Sequence, residues 1–257
     1  MNVNILAIGD ISGQAGLDVL SEKLHIIKKH YDIAYTVING ENASGLGVTP
    51  KQAEMILNAG ADVITLGNHT WSKLEIRKYL DDCRFILRPA NYAPQVPGRG
   101  WGVYETSFGE VCVINLIGRV NVPGESENPF LEIDRILKKV EAKIILVDFH
   151  AETTSEKYAM AYHLDGRVSA LWGTHTHVQT SDCKVFPKKT GYITDVGMTG
   201  AFDSILGMKP EQPVDFFLGN PGGRFTPAEG LSRIEGAVFE IDAETGFCLG
   251  VEAIRVS

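Results

Sequence analysis

Five short apolar runs in this chain end in the same way, and that repetition limits what it can fold into. Residues 3–8 lead into Gly9-Asp10, residues 34–38 into Asn39-Gly40-Glu41-Asn42, and residues 63–66 into Gly67-Asn68-His69. Residues 143–149 lead into His150-Ala151-Glu152, and residues 168–172 into Gly173-Thr174-His175-Thr176-His177. Apolar runs of about 4–8 residues bounded by glycine and polar residues have the length of buried strands. Between them lie helical patterns. Leu17, Leu20, Leu24 and Ile27 recur at helical spacing. Thr49-Pro50 is an N-cap followed by a proline at the first helical position, and Gly60 closes that helix. Ser72 is expected to cap a helix running through Leu80, with Glu75 completing a capping box.

The middle is less regular. Residues 88–100 form a Pro/Gly-rich loop, residues 101–108 and 111–117 a hairpin turning at Gly109-Glu110, and residues 118–129 another loop. Helices are expected at 130–140 and 154–164, a short strand at 192–195, and a loop over 207–230. A second hairpin pairs 236–241 with 248–254 around Glu244-Thr245-Gly246. Strands that alternate with helices early and pair with one another late point to an α/β domain with a central sheet, expected as two packed sheets with helices outside. Ligands in such folds bind beyond the carboxyl ends of the strands.

The 257 residues, 44% hydrophobic and 22% charged, fit a single domain spanning 1–257. No apolar run reaches membrane-spanning length, and Met1-Asn2-Val3-Asn4 offers no basic start to a secretory signal, so a cytoplasmic protein is expected. Cys83, Cys112, Cys183 and Cys248 are widely spaced and form no CxxC, which suits buried, reduced thiols. A net charge of -8 argues against binding long nucleic acid, but leaves room for a small phosphorylated ligand held through metal.

The five strand ends deliver Asp10, Glu41, Asn42, Asn68, His69, His150, His175 and His177 to one edge. Each has an ordinary alternative: Asp10 as a helix cap, Asn42 as a turn residue, His150 as a core histidine. His25, His30 and His163 fall in helical patterns and are read as surface residues. Imidazoles together with carboxylate and amide oxygens suit Mn, Fe or Zn better than Ca or Mg. The donors are too many for one ion. Two ions need a bridging carboxylate, and Glu41 is the natural candidate. Paired metals about 3.5–4 Å apart clamp the oxygens of a phosphoryl displacement. Gly9-Asp10-Ile11-Ser12-Gly13-Gln14-Ala15-Gly16 superficially resembles a dinucleotide loop, but its spacing is not GxGxxG, and Asp10 would repel a pyrophosphate. Arg119 is read as a surface loop arginine.

Gly9-Asp10, Gly67-Asn68-His69, His150 and Gly173-Thr174-His175-Thr176-His177 resemble the motifs of the calcineurin-like metallophosphoesterases. Two departures narrow the likeness. Ser12 stands where that superfamily has a histidine, and Asn39-Gly40-Glu41-Asn42-Ala43 replaces its usual Gly-Asp. With Asp148-Phe149-His150-Ala151-Glu152 and Thr194-Asp195-Val196-Gly197-Met198-Thr199-Gly200, the chain is similar, over nearly its whole length, to the bacterial 2',3'-cyclic-nucleotide 2'-phosphodiesterase branch.

The resemblance implies a four-layer α/β/β/α sandwich of two packed mixed sheets and a dinuclear centre, most often Fe/Fe or Fe/Mn, with Mn as the alternative. It places Asp10, Glu41, Asn42 and His177 on one metal, and Glu41, Asn68, His150 and His175 on the other. Asn42 takes the contact that Ser12 cannot make, and His69 is the general acid. Thr70 stands where related enzymes carry a carboxylate to orient that histidine. The implied activity is hydrolysis of small cyclic nucleotides, 2',3'-cyclic and, as the wider class, 3',5'-cyclic, by a metal-bridging hydroxide with a histidine acid. The competing expectations are a phosphomonoesterase or nuclease on the same site, and a regulatory protein whose metals are structural. A small phosphodiester is the expected partner, without membrane or long nucleic acid; a homo-oligomer is compatible with the sequence.

Overall fold

The computed structural model describes residues 1–220 and 222–257; the loop expected over 207–230 therefore includes one residue, Pro221, outside the described residues. In chain order the elements are β1 (Asn2–Ile8), β2 (Asp10–Ile11), α1 (Gly13–His30), β3 (Ile33–Asn39), α2 (Pro50–Ala59), β4 (Val63–Thr65), α3 (Ile76–Asp82) and β5 (Ile86–Leu87). There follow β6 (Trp101–Thr106), β7 (Gly109–Ile117), α4 (Pro129–Leu137), β8 (Ile144–His150), α5 (Thr154–Leu164) and β9 (Ala170–Thr174). The chain ends with β10 (Lys184–Val185), β11 (Gly191–Ile193), β12 (Met198–Ala201), α6 (Glu211–Phe217), β13 (Ser232–Asp242) and β14 (Cys248–Val256).

One sheet runs β2-β12-β13-β1-β3-β4-β5, with β14 on β13; the other runs β10-β11-β9-β8-β7-β6. Both are mixed. β1, β3, β4 and β5 are parallel, as are β7, β8, β9 and β11, whereas β13 meets β1 antiparallel and β6 and β10 close their edges antiparallel.

The side-chain alternation of each strand builds the layers. In β1, Val3, Ile5 and Ala7 face the second sheet, packing with its Val113, Leu146 and Trp172 and with Phe239 of the adjacent β13, while Leu6 and Ile8 meet Leu17, Leu20 and Leu24 of α1. In β8, Ile144 and Leu146 face inward, and Ile145, Val147 and Phe149 pack on Met160 and Leu164 of α5 and Ile133 of α4. This is the α/β/β/α sandwich that the resemblance implies. Fully burying one such aliphatic or aromatic side chain stabilises the fold by about 1.5–3 kcal/mol. Among the described residues no helix is long and apolar enough to cross a membrane.

Local chemistry explains where the elements begin. Thr49 caps α2 in a reciprocal box with Gln52, ahead of Pro50. Asn128 caps α4 by accepting from the Phe130 amide. Five expectations are corrected. Ser72 caps nothing, because residues 72–75 are turns and α3 starts at Ile76 without a side-chain cap. The first hairpin turns at Ser107-Phe108, since Thr106 pairs with Gly109, so Gly109 and Glu110 belong to β7. The stretch 207–230 contains a helix, α6. The four cysteines are free, but only Cys112 and Cys248 are buried; Cys83 and Cys183 are partly exposed. His25 and His30 are exposed as expected, whereas His163 is partly buried, 2.9 Å from an Asp134 oxygen.

Candidate metal centre

The parallel strands of both sheets bring their carboxyl ends to one edge, and there the expected residues meet. His150, the last residue of β8 rather than the first beyond it, is fully buried. Its Nε2 lies 3.0 Å from Glu41 Oε1, 3.0 Å from Asn68 Oδ1 and 3.0 Å from His175 Nδ1. Glu41, His150 and His175 each turn a donor atom into one space, all within 4.8 Å of one another. On the other side of Glu41, His177 Nε2 lies 3.6 Å from Asp10 Oδ1 and 3.2 Å from Asn42 Nδ2. The Asn42 amide also donates to Glu41 Oε1 at 3.3 Å. Glu41 is thus central: one oxygen faces His150 and the other accepts the His69 amide at 3.0 Å.

The donor set fits divalent transition metals. Asp10 Oδ1 and Asn42 Oδ1 are buried, with no hydrogen-bond partner among the described residues. A buried carboxylate oxygen left without a partner is costly unless something positive meets it. Each histidine is also steered through its second ring nitrogen, as metal-binding imidazoles are. His150 Nδ1 faces the Thr174 hydroxyl at 2.9 Å, His175 Nε2 faces Glu152 at 3.1 Å, and His177 Nδ1 faces the Leu206 carbonyl at 3.1 Å.

Charge is concentrated here in buried surroundings. Burial pushes the Asp10 carboxyl up, but His177 and His150 outweigh it and hold the group well below the usual carboxylate range. Glu41 shows the same contest: burial raises it, His150 lowers it, and the net shift is downward. Burial works against a charged His150, yet Glu41 and Asp10 carry it up to about 9. His175 goes the other way, down to about 4, through burial and the neighbouring His150. His177 is raised, because Asp10 outweighs burial.

Local backbone is shaped to these contacts. Both loop histidines have positive φ, 96° at His175 and 60° at His177, a conformation that costs energy for non-glycine residues. Gly67 is required by closeness: a Cβ there would come within 2.2 Å of His150 Nε2 and 2.5 Å of a Glu41 oxygen.

His69 stands next to Asn68, partly exposed, its ring nitrogen 3.2 Å from the Asn68 amide nitrogen. Thr70 does not orient it, for its hydroxyl turns back to the Gly67 carbonyl at 2.6 Å. Asp10 is no helix cap; it lies in β2, paired with Met198. Ser12 is buried, and its hydroxyl has no partner among the described residues. Arg119 is exposed, as expected, and its backbone amide donates to Glu156.

Sequence reasoning missed the layer beneath these residues. Asp148 is fully buried; it accepts from Thr174 at 2.7 Å and from Thr65 and Asn39. Burial raises its carboxyl to about 6. A carboxylate inside the otherwise apolar run 144–149 was the available signal. Equally unforeseen is Lys157 of α5, buried, with Nζ 2.7 Å from Asp195 Oδ2. The same oxygen accepts the Thr176 amide and hydroxyl, and the other accepts the Gly197 amide. This ion pair grips the residue between His175 and His177.

The chain is 44% identical to the "2',3'-cyclic-nucleotide 2'-phosphodiesterase" of Bacillus subtilis (strain 168), over 99% of this chain and 97% of that one. Its structure superposes on that of a "novel phosphatase" from Mycoplasma pneumoniae with a TM-score of 0.94, 34% identity, and coverage of 100% and 94%. It superposes on a hypothetical protein from Thermus thermophilus with a TM-score of 0.92, 36% identity, and coverage of 98% of both chains. The family model described as "YmdB-like protein" matches residues 6–254, and this chain therefore belongs to that family.

Proposed function

We propose that this chain is a metal-dependent phosphodiesterase that hydrolyses small cyclic nucleotides, 2',3'-cyclic above all. The observation that carries the reading is the convergence of Asp10, Glu41, Asn42, Asn68, His150, His175 and His177, with two buried oxygens unpartnered among the described residues and His69 at the edge. The named activity of the Bacillus subtilis relative supports the substrate class.

Asp10, Glu41, Asn42 and His177 would hold one metal and Glu41, Asn68, His150 and His175 the other; the donors suit Mn, Fe or Zn, and the resemblance to the metallophosphoesterases implies iron in both or iron with manganese. Bound there, such ions supply Lewis-acid charge that makes water a nucleophile near neutral pH. The chain's own residues do the rest. Glu41 fixes the His69 backbone, Asn68 holds the His69 ring, and that ring is free to give a proton to the leaving sugar oxygen. The 2' oxygen is the one released, so the 3'-nucleotide is the product. Phosphomonoester hydrolysis is the second reading, favoured by the Mycoplasma neighbour's designation as a phosphatase. His69, a half-exposed acid outside both donor sets, speaks against purely structural metals. The reading places the protein in the cytoplasm, as a single domain able to work in a homo-oligomer.

Turnover of a panel of cyclic nucleotides and phosphomonoesters, with elemental analysis of the purified protein, tests this. Two transition metals per chain and preference for 2',3'-cyclic substrates are expected. A protein that turns over none of them after loading with iron or manganese would overturn the reading.

A further inference from the structure

A cavity of about 490 Å³ opens beside the ligand-bearing loops, lined among others by Ser44, Leu46, Met208, Phe216, Arg224 and Phe225. One wall, residues 44–46, follows the candidate ligands Glu41 and Asn42 in the chain; the rest is built by Met208, Phe216 and residues 222–227. The Gly45 amide donates to the Asn42 carbonyl at 2.7 Å, so the cavity wall at 44–46 is the direct continuation of the Glu41-Asn42 turn. Opposite, Met208 is two residues from Leu206, whose carbonyl holds His177. Met208 bridges to Ile205 and Pro227, the Lys209 amide donates to Thr226 at 3.0 Å, and the Ala228 amide donates to Gly207 at 2.8 Å. These contacts pin the Phe225 segment to the 205–209 turn, whose Leu206 carbonyl faces His177.

The lining is apolar where the metal centre is polar. Phe216 and Phe225 remain 56% and 39% exposed, their ring centroids 6.0 Å apart and nearly perpendicular. Aromatic surface grouped in a cavity of this size, with a guanidinium beside it, suits a flat aromatic ligand with polar edges. Another cavity, bordered by Met1, Phe108 and Lys143, lies at the amino ends of β1 and β8, the wrong end for anything held at the ligands.

Building on the cyclic-nucleotide reading, we propose that the Phe216–Phe225 cavity is the nucleobase subsite. The cyclic phosphate lies at the Glu41 cluster, and the base lies across Leu46 toward the two phenylalanines and Arg224. Stacking on aromatic side chains tolerates any base, so the subsite recognises a nucleoside rather than one particular nucleobase.

The test compares nucleoside 2',3'-cyclic phosphates with ribose 2',3'-cyclic phosphate, which lacks the base, on the metal-loaded full chain. The variants are Phe216→Ala, Phe225→Ala and the double variant, with Leu218→Ala, a 73% exposed neighbour outside the cavity lining, as control. The double variant is expected to raise KM for the nucleotides about 10- to 100-fold, toward that of the base-free ester, while kcat holds. The base-free KM should move little, and the control should behave as wild type. An equal loss on both substrates, or no change on either, overturns the subsite. Wild-type protein that turns over neither ester fails the parent reading instead, and the subsite falls with it.

Discussion

The Nδ1 of His150 lies 2.9 Å from the hydroxyl of Thr174, and that hydroxyl lies 2.7 Å from a fully buried Asp148 oxygen. One alternating face of two neighbouring strands, β8 and β9, supplies all three groups. The arrangement fixes which nitrogen of His150 is left to face Glu41, because a hydroxyl already donating to a carboxylate accepts the Nδ1 proton.

Thr174→Val keeps the shape of the side chain and removes this link. Loss of such a supporting hydrogen bond typically lowers metal affinity about 10- to 100-fold. Titration of metal into the chelator-stripped protein should display that loss with the fold intact by circular dichroism. Unchanged affinity would mean that packing alone orients His150.

The proposed assignment puts Glu41 on both metals. Glu41→Ala should empty both sites, whereas His150→Ala, His175→Ala and Asn68→Ala should each lower occupancy of one. Elemental analysis decides it, and two full metals in Glu41→Ala would end the bridging role.

Lys157→Met leaves Asp195 buried without its cation. Breaking a buried pair from one side costs about 3–5 kcal/mol, so a large drop in the urea midpoint of the apo-protein is expected. A drop within scatter would mean that the hydrogen bonds from Thr176 and Gly197 suffice.

Asp182 gives a pH signature away from the centre. Burial raises its carboxyl, but hydrogen bonds from Thr194, Thr180 and Tyr158 outweigh this and lower it. A group depressed in the folded state contributes stability that is present above its unfolded value and lost as pH falls through the folded one. Wild type should therefore lose more stability than Asp182→Asn as pH falls through and below the usual carboxylate range. Parallel urea midpoints across that range would contradict the assignment.

Much of this was legible in the sequence because strands and their ends leave local marks. The apolar runs before Asp10, Glu41, Asn68, His150 and His175 marked the parallel strands, and the polar residues at their ends are the ones that the structure brings together. What stayed hidden depends on contacts between distant segments. Nothing local to Lys157 says that its amine reaches Asp195, and β12 is only four residues long, held by pairing with β2 and β13. Ser72 misled because a good capping residue does not start a helix where the chain is still turning. The Ser107-Phe108 turn was missed because Gly109, the obvious turn residue, opens the next strand instead.

The proposed chemistry turns on His69 as proton donor, and one comparison tests that directly. A sugar alkoxide needs a proton to leave, whereas a nitrophenolate does not. His69→Ala should therefore lose about 10²–10⁴-fold in kcat on a 2',3'-cyclic nucleotide, and far less on bis-nitrophenyl phosphate, with both metals retained. Equal losses on the two substrates in the fully metallated variant would contradict the account and leave His69 as a residue that binds phosphate or orders the site.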